Sequence, residues 1–93
     1  AFKSVLDVLD DRDIFLSFDI DSIRGADCPG VSCPSPAGLS AQDALDMVRL
    51  AGAHPRVRMM DLSELNPEIE GDRTPRLVAQ LIYHFMLGVA MRT

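Results

Sequence analysis

Two aspartates separated by one residue close an apolar, strand-like stretch in the first quarter of the chain. Asp19 and Asp21 end residues 14–21, which read Ile-Phe-Leu-Ser-Phe-Asp-Ile-Asp. In a strand, side chains i and i+2 point to the same side, so both carboxylates are expected to leave the strand end in one direction. Two like charges at this spacing repel each other and lose hydration unless a cation lies between them. The pair therefore predicts a site for a hard divalent cation such as manganese or magnesium.

A third carboxylate, Glu64, follows a second strand-like segment at residues 57–62. Because parallel strands end at the same edge of a sheet, we expect Glu64 to lie near the two aspartates. Between the strands, residues 22–39 contain three prolines, three glycines and two cysteines, a composition that excludes regular structure. A long ordered loop is usually functional, so loop and carboxylates are predicted to form one site.

The rest of the chain predicts the elements that position this site. In order, these are a helix tail within residues 1–13, the strand over 14–21, a helix capped by Ser40 and ending at Gly52, the strand over 57–62 and a helix over 75–91. Thr74 is expected to cap the last helix, with Pro75 at its first position. Strand, helix and strand form a crossover unit, which predicts an α/β fold with parallel strands.

The composition indicates a piece of a larger domain. The chain has 93 residues, 47% of them apolar, and it opens with Ala1 rather than methionine. Both strand segments look buried on two faces, as in a parallel sheet. Two helices cannot cover both faces of both strands, so we expect the remainder of an α/β domain to do so.

Charge and hydropathy exclude several classes of partner. The net charge of −5 leaves no basic stripe for nucleic acid. The sequence has no apolar run long enough for a membrane span, no signal peptide and no lipidation motif, so we expect a soluble protein and no membrane partner. Two cysteines are too few for a disulfide scaffold, which favours a reducing compartment: the cytoplasm, or alternatively the mitochondrial matrix.

Other interpretations of the aspartate pair remain open or fail on particular residues. Both aspartates could simply cap a loop. A calcium loop fails because Ile23 and Arg24 stand where an acidic residue and a glycine are required. A phosphotransferase of the haloacid dehalogenase type also begins with a strand ending in Asp-x-Asp. Here Ile23 replaces its threonine or valine, and no later lysine or acidic pair follows.

The wider pattern resembles the C-terminal third of the ureohydrolases, the superfamily of arginase, agmatinase and formimidoylglutamase. The resemblance covers about residues 14–88 and rests on Ser17-Phe18-Asp19-Ile20-Asp21, Pro29, Pro34, Gly38-Leu39-Ser40, Glu64-Leu65-Asn66-Pro67 and Thr74 before a final helix. It implies that residues 1–93 are the C-terminal segment of a single arginase-like domain, a three-layer αβα fold with a parallel sheet. Two strands and two to three helices of that fold would lie in this chain. The upstream part, with the family's histidine and Asp-Ala-His-x-Asp motifs, would not.

The resemblance also implies roles for the three carboxylates. Asp19 would bridge two manganese ions and Asp21 would bind one of them, while the remaining ligands come from the upstream segment. Glu64 would face the cationic C–N group of a small-molecule substrate, and no catalytic group would come from this chain itself. The implied partners are that upstream segment, in the same enzyme or a companion chain, and further copies in a homo-oligomer.

The segment after the aspartates points to a substrate. Arginases and agmatinases carry Asp-Pro where this chain has Arg24-Gly25. This variant, with Ser22-Ile23 before it and Asp-Cys-Pro-Gly-Val-Ser-Cys at residues 27–33, is similar to eukaryotic formimidoylglutamases, including protozoan ones. The resemblance implies manganese-dependent hydrolysis of a C–N bond in a formimino or guanidino group, and the preferred substrate is N-formimino-L-glutamate, cleaved to L-glutamate and formamide. Arg24 could then pair with a substrate carboxylate, or it could be an exposed loop arginine.

Alternatives also remain for the whole chain and for its thiols. The chain could be a non-catalytic ureohydrolase-derived fragment that serves as a structural subunit or packing partner in a larger assembly. Cys28 and Cys33 give only a weak zinc signal, and are either idle thiols or a redox-sensitive pair beside the site. His54 and His84 are expected to be structural.

Overall fold

Two parallel strands and three helices make up the computed structural model, which describes residues 2–9, 11–32, 35 and 37–92. In chain order the elements are α1 (Phe2–Val8), β1 (Ile14–Asp19), a short 3₁₀ turn (Ile20–Ser22), α2 (Ala41–Ala53), β2 (Val57–Ser63) and α3 (Arg73–Ala90). The predicted α/β class and the parallel pairing of the strands are confirmed. None of the helices in the described ranges has both the length and the hydropathy that a membrane span requires.

The pairing of β1 with β2 brings the carboxyl ends of both strands level. Ile14 pairs with Val57, and after an irregularity at Arg58 the register runs from Phe15 with Met59 to Asp19 with Ser63. Glu64 directly follows Ser63 and therefore begins beside the end of β1.

The described helices cover one face of this two-stranded sheet. Phe18 of β1 is buried in a core with Val48 of α2 and Leu81 of α3, and α1 adds Leu6 to a second cluster on the same face. On the opposite face Phe15 and Met59 are 55% and 56% exposed. Within the described part of the chain only one face of the sheet is covered, because the odd-numbered residues of β1 have no covering layer. Coverage of the second face by the remainder of a larger domain stays a prediction.

Glycines allow α2 and α3 to cross in close contact. A Cβ atom on Gly88 would collide with the carbonyl oxygen of Arg49, and one on Gly52 would collide with that of Phe85. Beyond the crossing, Arg92 donates hydrogen bonds from Nε to the Gly52 carbonyl at 2.6 Å and from Nη2 to the Val57 carbonyl at 2.8 Å. These bonds satisfy carbonyl groups at the end of α2 and the start of β2.

The N-terminal caps of the two long helices differ from each other. Ser40 caps α2 as predicted, since its hydroxyl accepts a hydrogen bond from the Asp43 amide at 3.0 Å. The prediction that Thr74 caps α3 is wrong. The helix begins at Arg73, and the Glu70 carboxylate accepts from the amides of Asp72, Arg73 and Thr74 at 2.6–3.0 Å.

Thr74 instead holds the long loop against α3. Its side chain is fully buried, and its hydroxyl accepts a hydrogen bond from the Gly30 amide at 2.8 Å. The loop thus passes directly over the first turn of α3.

Candidate metal centre

Asp19 and Asp21 are brought together by a turn rather than by strand alternation. β1 ends at Asp19, and Asp21 lies within the 3₁₀ turn that follows. The Asp21 amide donates to Asp19 Oδ1 at 3.0 Å, and the Ser22 hydroxyl donates to the Asp19 carbonyl at 2.7 Å. The prediction that both aspartates belong to one strand is therefore wrong, although the turn still leaves their carboxylates as neighbours.

The surroundings of Asp21 are electrostatically unfavourable for its charged form. Burial raises the pKa of its carboxyl above the ordinary value. A hydrogen bond between the carboxyl groups of Asp21 and Asp19 raises this pKa further, and so do the negative charges of Asp19 and Glu64. The repulsion from Glu64 indicates that the end of β2 contributes to the same electrostatic site. Three carboxylates from two neighbouring strand ends therefore share one region, as the sequence predicted.

The backbone at Glu64 is strained. Its φ angle is +74°, and it is the one non-glycine residue with positive φ in the described part of the chain. A side chain with a Cβ atom adopts this left-handed conformation at a cost of about 1–2 kcal/mol. The side chain is exposed at the end of β2, so its own packing within this chain does not compensate that strain. Such strain at the rim of a site is typical of functional positions.

The donor set fits a hard divalent cation as part of a larger ligand sphere. Carboxylate oxygens are the ligands that manganese and magnesium take. Among the described residues, no lysine or arginine forms an ion pair with Asp19, Asp21 or Glu64. The described residues also contain no group of three side chains placed to hold a metal ion together. Asp19 and Asp21 can therefore supply two ligands, and the others must come from elsewhere.

Arg24 lies beyond the 3₁₀ turn and is oriented by an aspartate that the sequence did not single out. Its Nε donates to Asp27 Oδ2 at 2.8 Å, and half of its side chain is exposed. The proposed pairing of Arg24 with a substrate carboxylate stays a prediction. The i, i+3 spacing of opposite charges was the signal in the sequence that could have identified Asp27.

Cys28 lies within electrostatic range of Asp21, Cys33 lies outside the described residues, and both histidines form hydrogen bonds within their own segments. Cys28 is fully buried, and burial raises the pKa of its thiol. Cys33 lies outside the described residues, so the predictions for the pair are not decided. His54 is buried in the turn before β2, where its Nδ1 accepts from the Arg56 amide at 3.2 Å. His84 lies in α3 with its Nδ1 at 2.8 Å from the Gln80 carbonyl oxygen.

A cleft near His54 is remote from the carboxylates. It is lined by Lys3, Leu6, Asp7, Leu50, Ala53, His54 and Pro55. Because His54 precedes β2, this cleft lies at the amino ends of the strands, whereas the carboxylates lie at the carboxyl ends. Ligands of open α/β sheets bind at the carboxyl ends, which favours the carboxylate region as the functional site.

A model of the arginase family matches residues 1–88 of this sequence, which is nearly its whole length. The chain belongs to the arginase family. The match includes all four residues singled out above for metal or substrate binding, namely Asp19, Asp21, Arg24 and Glu64.

Relatives of this arginase-family chain carry the name formimidoylglutamase. That of Aromatoleum aromaticum is 35% identical over 80 residues, which are 85% of this chain and 24% of that protein. The crystal structure of Trypanosoma cruzi formiminoglutamase with Mn²⁺ matches 98% of this chain and 33% of its own, with 49% identity and a TM-score of 0.87. Bacillus subtilis formimidoylglutamase matches 98% of this chain and 30% of its own, with 28% identity and a TM-score of 0.92.

The arginase-family chain therefore spans about a quarter to a third of the length of these relatives. The match to the solved structures confirms the arginase-like fold of this segment.

Proposed function

We propose that this chain supplies part of the active site of a manganese-dependent hydrolase that cleaves a C–N bond of a formimino group. The proposed reaction converts N-formimino-L-glutamate and water to L-glutamate and formamide. The observation that carries the proposal is the grouping of Asp19, Asp21 and Glu64 at neighbouring strand ends. It is supported by 49% identity to a formiminoglutamase whose crystal structure holds Mn²⁺.

Asp19 and Asp21 hold the metal in this proposal. Asp19 follows directly from β1 and has one carboxylate oxygen engaged by the Asp21 amide, so its other oxygen is available for a cation. The repulsion among the carboxylates is relieved when a divalent cation binds between them. Manganese, when bound, would acidify a water molecule and polarise the substrate. The remaining ligands come from an upstream region, in the same polypeptide or in a companion chain.

Glu64 orients the substrate. A formimino group attached to nitrogen is planar, rich in N–H donors and cationic when protonated, and a carboxylate can accept two parallel hydrogen bonds from such a group. Glu64 follows Ser63, the register partner of Asp19, so its side chain leaves the end of β2 beside the end of β1. This placement would hold the reacting carbon near the metal-binding aspartates.

Arg24 distinguishes this substrate from guanidino compounds that lack a carboxylate. N-formimino-L-glutamate carries two carboxylates and agmatine carries none, so a guanidinium at the site favours the former. The exposed half of the Arg24 side chain is consistent with contact to a ligand.

The test combines metal analysis with turnover. The protein is assembled with the family's upstream region, loaded with Mn²⁺, and assayed with N-formimino-L-glutamate, arginine and agmatine. We expect about two manganese ions per site and release of formamide from the first substrate at the highest kcat/KM. Hydrolysis of arginine or agmatine at a higher kcat/KM would overturn the substrate assignment. An assembled protein without metal and without turnover would favour the non-catalytic structural role.

A further inference from the structure

The backbone around Arg24 is held on both sides, so its side chain leaves from a fixed position. The Arg24 amide donates to the Leu39 carbonyl at 2.8 Å, and the Arg24 carbonyl accepts from the amides of Asp27 and Cys28, both at 3.0 Å. The neighbouring Gly25 amide donates to the Ser35 carbonyl at 2.6 Å. This short turn is thus tied to the far end of the same loop.

One oxygen of Asp27 joins this turn to α2. Asp27 Oδ2 accepts from Arg24 Nε at 2.8 Å and from the amide of Ala41, the first residue of α2, at 2.9 Å. These two donors lower the pKa of the Asp27 carboxyl below its ordinary value, with the Ala41 amide as the larger cause. Asp27 is therefore ionised at neutral pH and connects the Arg24 guanidinium to a rigid helix.

The way in which Asp27 binds Arg24 leaves the outer edge of the guanidinium for a ligand. A guanidinium carries five N–H donors, and Asp27 occupies the one on Nε. No described residue accepts a hydrogen bond from Nη1 or Nη2 of Arg24. These two nitrogens can therefore bind both oxygens of a carboxylate end-on. The Asp27 side chain is 25% exposed and that of Arg24 is 50% exposed, so the arginine lies on the solvent side.

A second arginine supports the same turn. Arg73, the first residue of α3, donates from Nη2 to the Ala26 carbonyl at 2.6 Å. Its positive charge also contributes to the low pKa of Asp27. The turn is thus attached to the N-terminal ends of both long helices.

We infer that Asp27 is the positioning residue that orients Arg24 for a carboxylate of the substrate. This inference rests on the proposed function, because it requires a carboxylate-bearing ligand at Arg24. An exposed ion pair contributes little to stability, so the consequence of the pairing is the direction of the guanidinium. Asp27 itself does not touch the ligand.

A double-mutant cycle tests this role. Wild type, Asp27→Asn, Arg24→Ala and the double variant are compared in the assembled, manganese-loaded protein. KM and kcat are measured with N-formimino-L-glutamate, and the Kd of L-glutamate is measured by calorimetry. Asn is similar in size and keeps an acceptor for the Ala41 amide. We expect Asp27→Asn to raise KM and Kd about tenfold and to change kcat less than about twofold. In the Arg24→Ala background it should have no further effect, because the group through which it acts is gone.

Asp43→Asn is the matched control, because Asp43 is an exposed carboxylate in the first turn of the same helix. It should leave KM and Kd unchanged. Additive effects in the cycle, or a lower Tm of Asp27→Asn without a change in KM and Kd, would overturn the positioning role and leave Asp27 as a helix cap. Asp27→Asn could weaken L-glutamate binding only when Arg24 is present, while no variant turns over N-formimino-L-glutamate. That result would contradict the proposed function and support the positioning role. Absence of L-glutamate binding by the wild type would overturn the positioning role.

Discussion

At the scale of single residues, the site depends on carboxylates whose positions are unfavourable in isolation. Asp21 is near two like charges, and Glu64 has a left-handed backbone. Both features reduce the stability of this segment by itself. Residues of this kind persist where another requirement outweighs their cost, and metal and substrate binding supply that requirement in the proposed function.

The strain at Glu64 predicts an inverted order of stability among small substitutions. Alanine normally stabilises a chain relative to glycine because it restricts the unfolded state. At a φ of +74° only glycine is free of the Cβ clash, so Glu64→Gly should be more stable than Glu64→Ala by about 1 kcal/mol. Denaturant unfolding of the two variants measures this difference, with the same substitutions at Glu68 as the control. Equal stability, or the usual order with alanine higher, would show that the backbone at Glu64 is relaxed.

The metal-binding role of the aspartates predicts a selective loss of manganese. Asp19→Asn and Asp21→Asn each replace a negatively charged ligand with a neutral amide of similar shape. Manganese affinity should therefore fall more than tenfold. Metal content after dialysis and titration calorimetry measure this change. Asp43→Asn is the control, because Asp43 is an exposed aspartate in the first turn of α2, away from the sheet. Unchanged manganese binding in the two site variants would contradict the assignment.

At the scale of elements, α3 links the site to the core. Glu70 caps its first turn, Thr74 holds the loop at Gly30, and Gly88 allows the crossing with α2. The loop that carries Arg24 therefore depends on the start of this helix.

The cap at Glu70 predicts a characteristic dependence of stability on pH. The amides of Thr74, Arg73 and Asp72 lower the pKa of its carboxyl to about 2, with the Thr74 amide as the largest cause. A carboxyl whose pKa is lowered in the folded state stabilises the fold above its ordinary pKa, and this contribution is lost as pH falls toward 2. Glu70→Gln should therefore lower Tm by several degrees at pH 7 and reduce the loss of stability between pH 4.5 and 2.

Thermal unfolding across this pH range measures the effect of Glu70→Gln. Glu68→Gln is the matched control in the same turn, since the Glu68 side chain is exposed, and it should reproduce the wild-type curve. A Glu70→Gln curve parallel to that of the wild type would contradict the capping role.

The helix crossing predicts that Gly88→Ala destabilises the protein. Alanine in place of glycine in a helix is normally favourable by about 1 kcal/mol. Here the new methyl group would collide with the Arg49 carbonyl oxygen, and the backbone of α2 would have to move. We expect a net loss of about 1–3 kcal/mol in the free energy of unfolding. Gly71→Ala is the milder comparison, because a Cβ there would lie 3.2 Å from the Pro67 carbonyl oxygen in an exposed turn, and it should cost less than Gly88→Ala. A neutral Gly88→Ala would show that the helices separate without cost.

At the scale of the whole molecule, one face of the sheet is covered by helices and the other is exposed and partly apolar. Phe15 and Met59 lie next to each other on the exposed face, paired across β1 and β2. Parallel sheets are generally covered on both faces. We therefore propose that the upstream part of the domain covers this face and thereby brings its ligands to Asp19 and Asp21.

A matched pair of methionines tests this coverage. Met59 on the sheet and Met86 on α3 are 56% and 61% exposed within this chain. If the upstream region packs on the sheet, Met59→Ala should cost about 2 kcal/mol in the assembled protein. Met86→Ala should cost less than about 0.5 kcal/mol if that side of α3 stays exposed. Equal, small effects in denaturant unfolding would show that the sheet face remains open.

The sequence by itself determined the α/β class, the parallel strands, the Ser40 cap and the placement of Asp19, Asp21 and Glu64 at one edge of the sheet. These features depend on hydrophobic patterns and on the direction of the chain, both of which are local and can be counted along it. The resemblance to the ureohydrolases also came from short motifs, and the match to the arginase family confirms it.

Only the tertiary structure decided how these residues are held. The turn at Asp21, the cap at Glu70 and the attachment of Asp27 to α2 each depend on a backbone amide that folding brings to a carboxylate. Asp27 reaches Ala41 and Thr74 reaches Gly30 across 14 and 44 residues. A periodic pattern carries no information about such pairs, because a polar side chain is satisfied by whichever donor or acceptor the packed backbone brings to it.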